Sequence, residues 1–233
     1  MAFSDSLSKS PDQPLPLTTR RGVLGSIGVA GIALLATSTP VSAALFQKKN
    51  GGVPKVIIPN DKAAVPARGN GGVKTDICLS SLPQEWVRQH GAVILDYDRY
   101  LASLNLKRLS AHQVVEAHAK SRGGVWNTLP PKPWWNRMGY TLRVIDRIAV
   151  ELDMPVKEIV SAYRSPAYNA RCPGAKTGAW HQANVAVDVQ FPVRASTVTA
   201  AARHLRDRGL FKGGVGGYST FTHIDTRGTN VNW

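Results

Sequence analysis

Apolar positions Leu142, Ile145, Ile148, Ala149 and Leu152 recur at the roughly 3.6-residue spacing of a helix with one buried face, which predicts a long amphipathic helix over 134–152. Asp153, Met154 and Pro155 end that run. A second helix is expected over 110–120, where Ser110 supplies a cap and Leu109, Val114, Val115 and Ala117 point to the core. The proline-rich stretch 127–133 reads as a turn between the two. Compact apolar runs at 159–163 and 184–191 read as buried strands, the second stopped by Pro192. A third helix is expected over 196–208, with Arg203, Arg206 and Arg208 on a solvated face. The glycine-rich 213–218 then reads as a flexible lead-in to a last strand over 220–226. No internal repeat is present. The order helix, strand, strand, helix, strand predicts an α+β domain with a small, mainly antiparallel sheet flanked by helices.

This globular pattern starts near residue 77, and what precedes it is of a different kind. Thr19-Arg20-Arg21-Gly22-Val23-Leu24 has the form of a twin-arginine export motif, and an uncharged stretch interrupted by glycine follows it. Val41, Ser42 and Ala43 offer the small residues that a signal peptidase accepts. Gly25, Gly28 and Gly31 dilute the apolarity, and Pro40 stops it short of the ~20 residues of a spanning helix. The expected division is a cleaved signal at 1–43, a basic Gly/Pro-rich linker at 44–76 and a folded domain at 77–233. The linker carries Lys48, Lys49, Lys55, Lys62, Arg68 and Lys74 against Asp61 and Asp76, and only 56–58 has the makings of an edge strand.

Charge adds a class of partner. The formal net charge is +14, which draws the chain to polyanions. No zinc-finger spacing or Arg/Gly/aromatic repeat supports nucleic-acid binding. An exported location makes anionic cell-wall polymer and anionic lipid surfaces the expected partners, with the basic linker helping to hold the chain on the wall. Cys78 and Cys172 fit an exported protein with one disulfide, worth about 4–5 kcal/mol on the chain-entropy model. Two buried free thiols fit the sequence equally well. Neither cysteine lies in a Cys-x-x-Cys pair, which argues against a thiolate metal site.

The candidate chemistry lies in the last third of the chain. His181 and Asp188 flank an apolar run, and His223 and Asp225 sit two apart on the last strand. Two histidines and a carboxylate can give a zinc ion three ligands and leave one position open. Seven residues along an unbroken strand would put His181 and Asp188 on opposite faces, so a bend at 182–184 is required. Asp188 sits between Val187 and Val189, where an unpaired carboxylate would be costly; it needs an arginine, a hydrogen-bond network or a cation. His90, His112, His118 and His204 read as ordinary core or surface histidines. Trp180, Tyr163 and Tyr218 can wall a cleft or simply fill space.

The string Ser161-Ala162-Tyr163-Arg164-Ser165-Pro166-Ala167-Tyr168-Asn169, the segment His181 to Asp188, and Gly214-Val215-Gly216-Gly217-Tyr218 leading to His223-Ile224-Asp225 together resemble the zinc D-Ala-D-Ala carboxypeptidase and murein endopeptidase family. The resemblance covers 130–233, and it implies the hedgehog/DD-peptidase fold. It also implies that His181, Asp188 and His223 hold a zinc ion and that Arg164 stabilises the developing oxyanion. Many members carry an acid three residues before the last histidine, where this chain has Thr220. The matching carboxylate is then Asp225, either as general base or as a group that orients a ligand histidine. Ala179 and Asn184 also depart from the Ser and Gly of many relatives. The implied activity is hydrolysis of peptidoglycan peptides in the periplasm or cell envelope, the His-x-Asp ending favouring endopeptidase action. The alternative is a non-catalytic, metal-containing wall-binding module.

Overall fold

The computed structural model describes residues 77–233, so the expected signal, linker and short strand at 56–58 lie outside the described residues. Helices α1 (Gln84–His90), α2 (Val93–Ser103) and α3 (Ala111–His118) come first, followed by a small hairpin of β1 (Ser121–Arg122) and β2 (Val125–Trp126). The long helix α4 (Trp135–Glu151) leads to β3 (Glu158–Ser161), the single turn α5 (Pro166–Asn169) and β4 (Ala186–Gln190). Then come α6 (Ala195–Asp207), β5 (Gly214–Gly217), β6 (Thr222–Asp225) and β7 (Val231–Asn232). Among the described residues no helix is long and apolar enough to cross a membrane.

The helices form where local chemistry directs. Ser110 caps α3 through a reciprocal capping box: its hydroxyl accepts from the Gln113 amide, and the Gln113 side chain accepts from the Ser110 amide. Helix α4 buries Leu142, Ile145, Ile148 and Ala149 completely, the stripe that its periodicity predicts. It stops just before Asp153, whose φ of 50° cannot continue a helix. Each fully buried aliphatic side chain of this kind contributes about 1.5–3 kcal/mol.

The main sheet has the strand order β3-β4-β6-β5-β7, antiparallel except for the β5/β7 pair. Register decides what each face carries. Val187 pairs with Ile224 and Val189 with Thr222, while Asp188 pairs with His223 and Ala186 with Asp225. Side chains alternate along a strand. One face therefore sends Val187, Val189 and Ile224 into the core with Leu142, Val198 and Ala202. The other face lines up Asp188, His223 and Asp225. The architecture is the α+β one expected.

Four local expectations change. The glycines at 214–217 are not a flexible lead-in but strand β5 inside the sheet. A Cβ on Gly214 would meet the Asp225 carboxylate at 2.5 Å and the Trp233 ring at 2.9 Å, and one on Gly213 or Gly216 would meet the Asp225 backbone or the Trp233 indole. Glycine is required here by close approach rather than by mobility. Arg206 is not solvated: it is buried and donates from Nη1 to the carbonyls of Gly213 (3.2 Å) and Val231 (3.0 Å), tying α6 to the segments around β5 and β7. Strand β3 lies at a sheet edge and is only partly buried. Of the two readings open for Cys78 and Cys172 the structure has the free thiols, but Cys78 is exposed and Cys172 only half-buried, so neither is the buried thiol expected.

Candidate metal site

The segment before β4 carries the bend that the site needs. Asn184 adopts a left-handed φ of 60°, and its side-chain amide donates to the Trp134 carbonyl at 2.8 Å. Asparagine tolerates this conformation better than most residues with a Cβ. Upstream, the Gln182 side chain accepts from the amides of Gly178 (2.8 Å) and Ala179 (3.1 Å) and rigidifies the loop around His181. The turn returns His181 to the face of the sheet that carries Asp188.

His181, Asp188 and His223 thereby converge, all buried, with one potential ligand atom from each within 4.8 Å of the others. Asp188 Oδ1 is the centre of the group, 3.3 Å from His181 Nε2 and 2.8 Å from His223 Nδ1. Separations of that order suit ligands that each lie about 2 Å from one ion. His181 Nδ1 lies 2.7 Å from the Ala162 carbonyl. A carbonyl only accepts, so Nδ1 carries the proton and Nε2 presents a lone pair.

Electrostatics favour a cation among these groups. Burial disfavours charge on Asp188, yet His181 and His223 outweigh it and hold the carboxyl far below the usual range. Burial lowers the His181 pKa, an effect that Asp188 only partly offsets. For His223 the balance reverses: burial is outweighed by Asp188 and Asp225, and its pKa is raised. His223 thus sits where two carboxylates favour positive charge over the cost of burial. A divalent ion meets the same demand, and the donor set of two imidazoles and a carboxylate is one that zinc accepts.

Asp225 is completely buried, and donors surround it. Its Oδ1 accepts from the amides of Gly214 (3.0 Å) and Arg227 (3.1 Å) and from Arg227 Nε (2.8 Å). Its Oδ2 faces Arg227 Nη2 and His223 Nε2, the latter at 3.0 Å. Burial opposes its charge, but Arg227 and His223 more than compensate, and its pKa is lowered. A carboxylate so stabilised is a weak base.

Arg164 lies beside the cluster, about one-sixth exposed, with Nη2 2.7 Å from Asp188 Oδ2 and Nε 2.7 Å from Ser161 Oγ. Its position follows from local sequence. Ser165 caps α5 through its hydroxyl, and Pro166 occupies the first helical position, where its missing N–H costs nothing. Buried Asn127 holds the chain on both sides of Arg164. Its amide donates to the Tyr163 carbonyl at 2.8 Å, and its Oδ1 accepts from the Ser165 amide at 2.9 Å.

Tyr163 is buried, whereas Tyr218 is exposed and stacks on Phe221. Trp180 takes a place in a partly open aromatic wall. The Arg227 guanidinium lies 4.7 Å from the Trp180 ring centre and 5.1 Å from that of Trp233, and Trp233 lies 5.1 Å from His223. Asn127, Arg227 and Trp233 were not singled out from the sequence. Arg227, two residues after Asp225, was within reach of a pattern search; Asn127 sits in a turn with no signal of its own. The other histidines stay apart from the cluster, and His118 is buried among aromatic rings, its Nε2 3.5 Å from the Tyr97 hydroxyl.

A sequence profile of the family described as Peptidase M15 matches residues 107–225, just over half of the chain. The protein belongs to the peptidase M15 family, whose members are metal-dependent peptidases. No curated protein and no solved structure matches the chain. The matched region starts earlier than the motifs alone suggested. It takes in α3, the β1–β2 hairpin and, directly after it, Asn127, which holds the chain on both sides of Arg164.

Proposed function

We propose that this protein is an exported zinc peptidase that hydrolyses peptide bonds in the stem or cross-link peptides of peptidoglycan, acting as an endopeptidase. The observation that carries the reading is the convergence of His181 Nε2, Asp188 Oδ1 and His223 Nδ1 at one buried point bordered by Arg164. These three atoms would hold the ion. Bound there, zinc supplies a Lewis acid that polarises a peptide carbonyl and acidifies a water molecule. The chain's own residues do the rest. Arg164 offers charged donors at the edge of the cluster, where negative charge develops on the carbonyl oxygen. Asp225 orients His223 rather than taking a proton, because its oxygens are already engaged. Trp180 and Trp233 give the site an apolar wall against which substrate side chains can lie. The basic segment at 44–76 would raise the enzyme's concentration at the anionic wall.

One observation favours a second reading, a metal-containing wall-binding module without hydrolytic activity. Thr220 stands where many relatives carry an acid, and the nearby Asp225 is saturated with donors. Incubating the zinc-loaded protein with purified muropeptides, with and without chelator, and weighing the products decides between them. Chelator-sensitive cleavage supports the peptidase. Retention on sacculi with no product from any muropeptide supports the binding module.

A further inference from the structure

Arg227 lies outside the motifs that define the site, yet it touches Asp225, Trp180 and Trp233, three residues that border the candidate ligands. Its fork grips Asp225 through Nε and Nη2, and its own backbone amide adds a third contact to the same carboxylate. Its guanidinium plane lies beside Trp180, the residue immediately before His181, and beside Trp233, which lies against His223. One side chain therefore connects the loop of one candidate ligand to the strand of the other.

The consequence concerns which nitrogen of His223 is available. Asp225 Oδ2 lies 3.0 Å from His223 Nε2, and an ionised carboxylate can only accept. Nε2 must then keep its hydrogen, so when a metal ion displaces the hydrogen between Nδ1 and Asp188 Oδ1, 2.8 Å apart, it is Nδ1 that presents the lone pair. His181 is fixed the opposite way, with Nδ1 committed to the Ala162 carbonyl and Nε2 turned inward. The two histidines thus present different ring nitrogens, each selected by the partner of the other nitrogen.

We propose that Arg227 is a positioning residue for the metal site: by clamping the Asp225 carboxylate in one rotation, it fixes His223 as the Nε2–H tautomer and so directs Nδ1 to the ion. Two backbone amides hold only Oδ1 of Asp225; a bidentate fork on a rigid guanidinium engages Oδ2 as well and so fixes the oxygen that faces His223. The aromatic rings on Trp180 and Trp233 restrict the guanidinium in turn. The proposal rests on the metal-site reading above and assigns a role within it.

The test compares zinc affinity, by competition with a chromophoric chelator, for the full chain and for Arg227→Gln and Arg227→Lys. Partners of this kind typically tune metal affinity about 10–100-fold. Arg227→Gln is expected to weaken zinc binding by that factor, and Arg227→Lys to recover part of it, since lysine keeps the charge but loses the fork. In parallel, nitrogen-15 NMR of zinc-loaded wild type is expected to show His223 protonated at Nε2 and coordinating through Nδ1. Wild-type affinity in folded Arg227→Gln, or His223 coordinating through Nε2, overturns the proposal. If Arg227→Gln does not fold, Arg227→Lys decides, since wild-type zinc affinity in that variant, which lacks the fork, overturns the proposal. Failure of the wild type to bind zinc at all would instead sink the metal site itself, a distinguishable result.

Discussion

Asp188 and His223 are register partners on β4 and β6, with Asp188 Oδ1 2.8 Å from His223 Nδ1. Their pairing directly across the ladder means that neither can change its distance to the other without disturbing the sheet. A site built on strands is held more rigidly than one on loops. Zinc bound there should stabilise the fold by mass action, about 2.7 kcal/mol at a hundredfold excess over the dissociation constant. Thermal unfolding with and without zinc should show an upward shift in the wild type and none in Asp188→Ala.

Arg164 bears on turnover more than on metal loading. Removing a single donor to a developing oxyanion costs on the order of 100–1,000-fold in rate. Arg164→Ala should lose activity on a muropeptide by about that factor while retaining zinc, measured by metal content of the purified variant. Arg164→Lys should recover little, because a lysine cannot reach Ser161 and Asp188 with the same fork.

Asp225→Asn separates the two roles that a carboxylate can have here. If Asp225 orients His223, the variant binds zinc more weakly, and a zinc excess restores much of its activity. If Asp225 were the general base, the variant would hold zinc normally and remain inactive at every zinc concentration. The donor-saturated environment of Asp225 predicts the first outcome.

His118 gives a pH prediction independent of the site. Burial pushes its pKa down to about 3 in the folded chain, against about 6.5 when unfolded. Above pH 6.5 both states are neutral and the group costs nothing. As pH falls from there towards 3, the unfolded chain binds a proton that the folded one refuses, and stability is lost by about 1.4 kcal/mol per unit. Chemical denaturation in the presence of chelator should show a steeper loss between pH 6.5 and 4 for wild type than for His118→Gln.

The glycines at the two ends of the 213–217 run differ sharply in what they tolerate. A Cβ on Gly217 would meet only Thr199 at 3.4 Å, whereas one on Gly213 would run into the Asp225 carbonyl. Gly217→Ala should be tolerated, and Gly213→Ala should destabilise by about 3 kcal/mol or more, as over-packing against backbone does. Denaturant midpoints of the two variants measure the difference.

Strand β5 also marks where sequence reasoning stopped. Periodicity discloses α4 because it buries a regular stripe, the Ser110 cap discloses α3, and the need of Asp188 for a partner is legible because a carboxylate stands alone in an apolar run. The need for a turn before β4 followed from strand geometry, and Asn184 supplies it. Gly214 and Gly216 misled because composition cannot distinguish a glycine that moves from one that admits a neighbouring ring; that distinction depends on Trp233, far along the chain. Arg206 misled for a similar reason. Its helix face is polar, but the carbonyls that it satisfies belong to segments that reach it only in the folded sheet.

The central claim is tested most directly by titrating zinc into the full chain and into His181→Ala, Asp188→Ala and His223→Ala, with folding of each verified by circular dichroism. The account predicts one tightly bound zinc per wild-type chain and its loss in all three variants. Zinc bound by all three as tightly as by the wild type would contradict it.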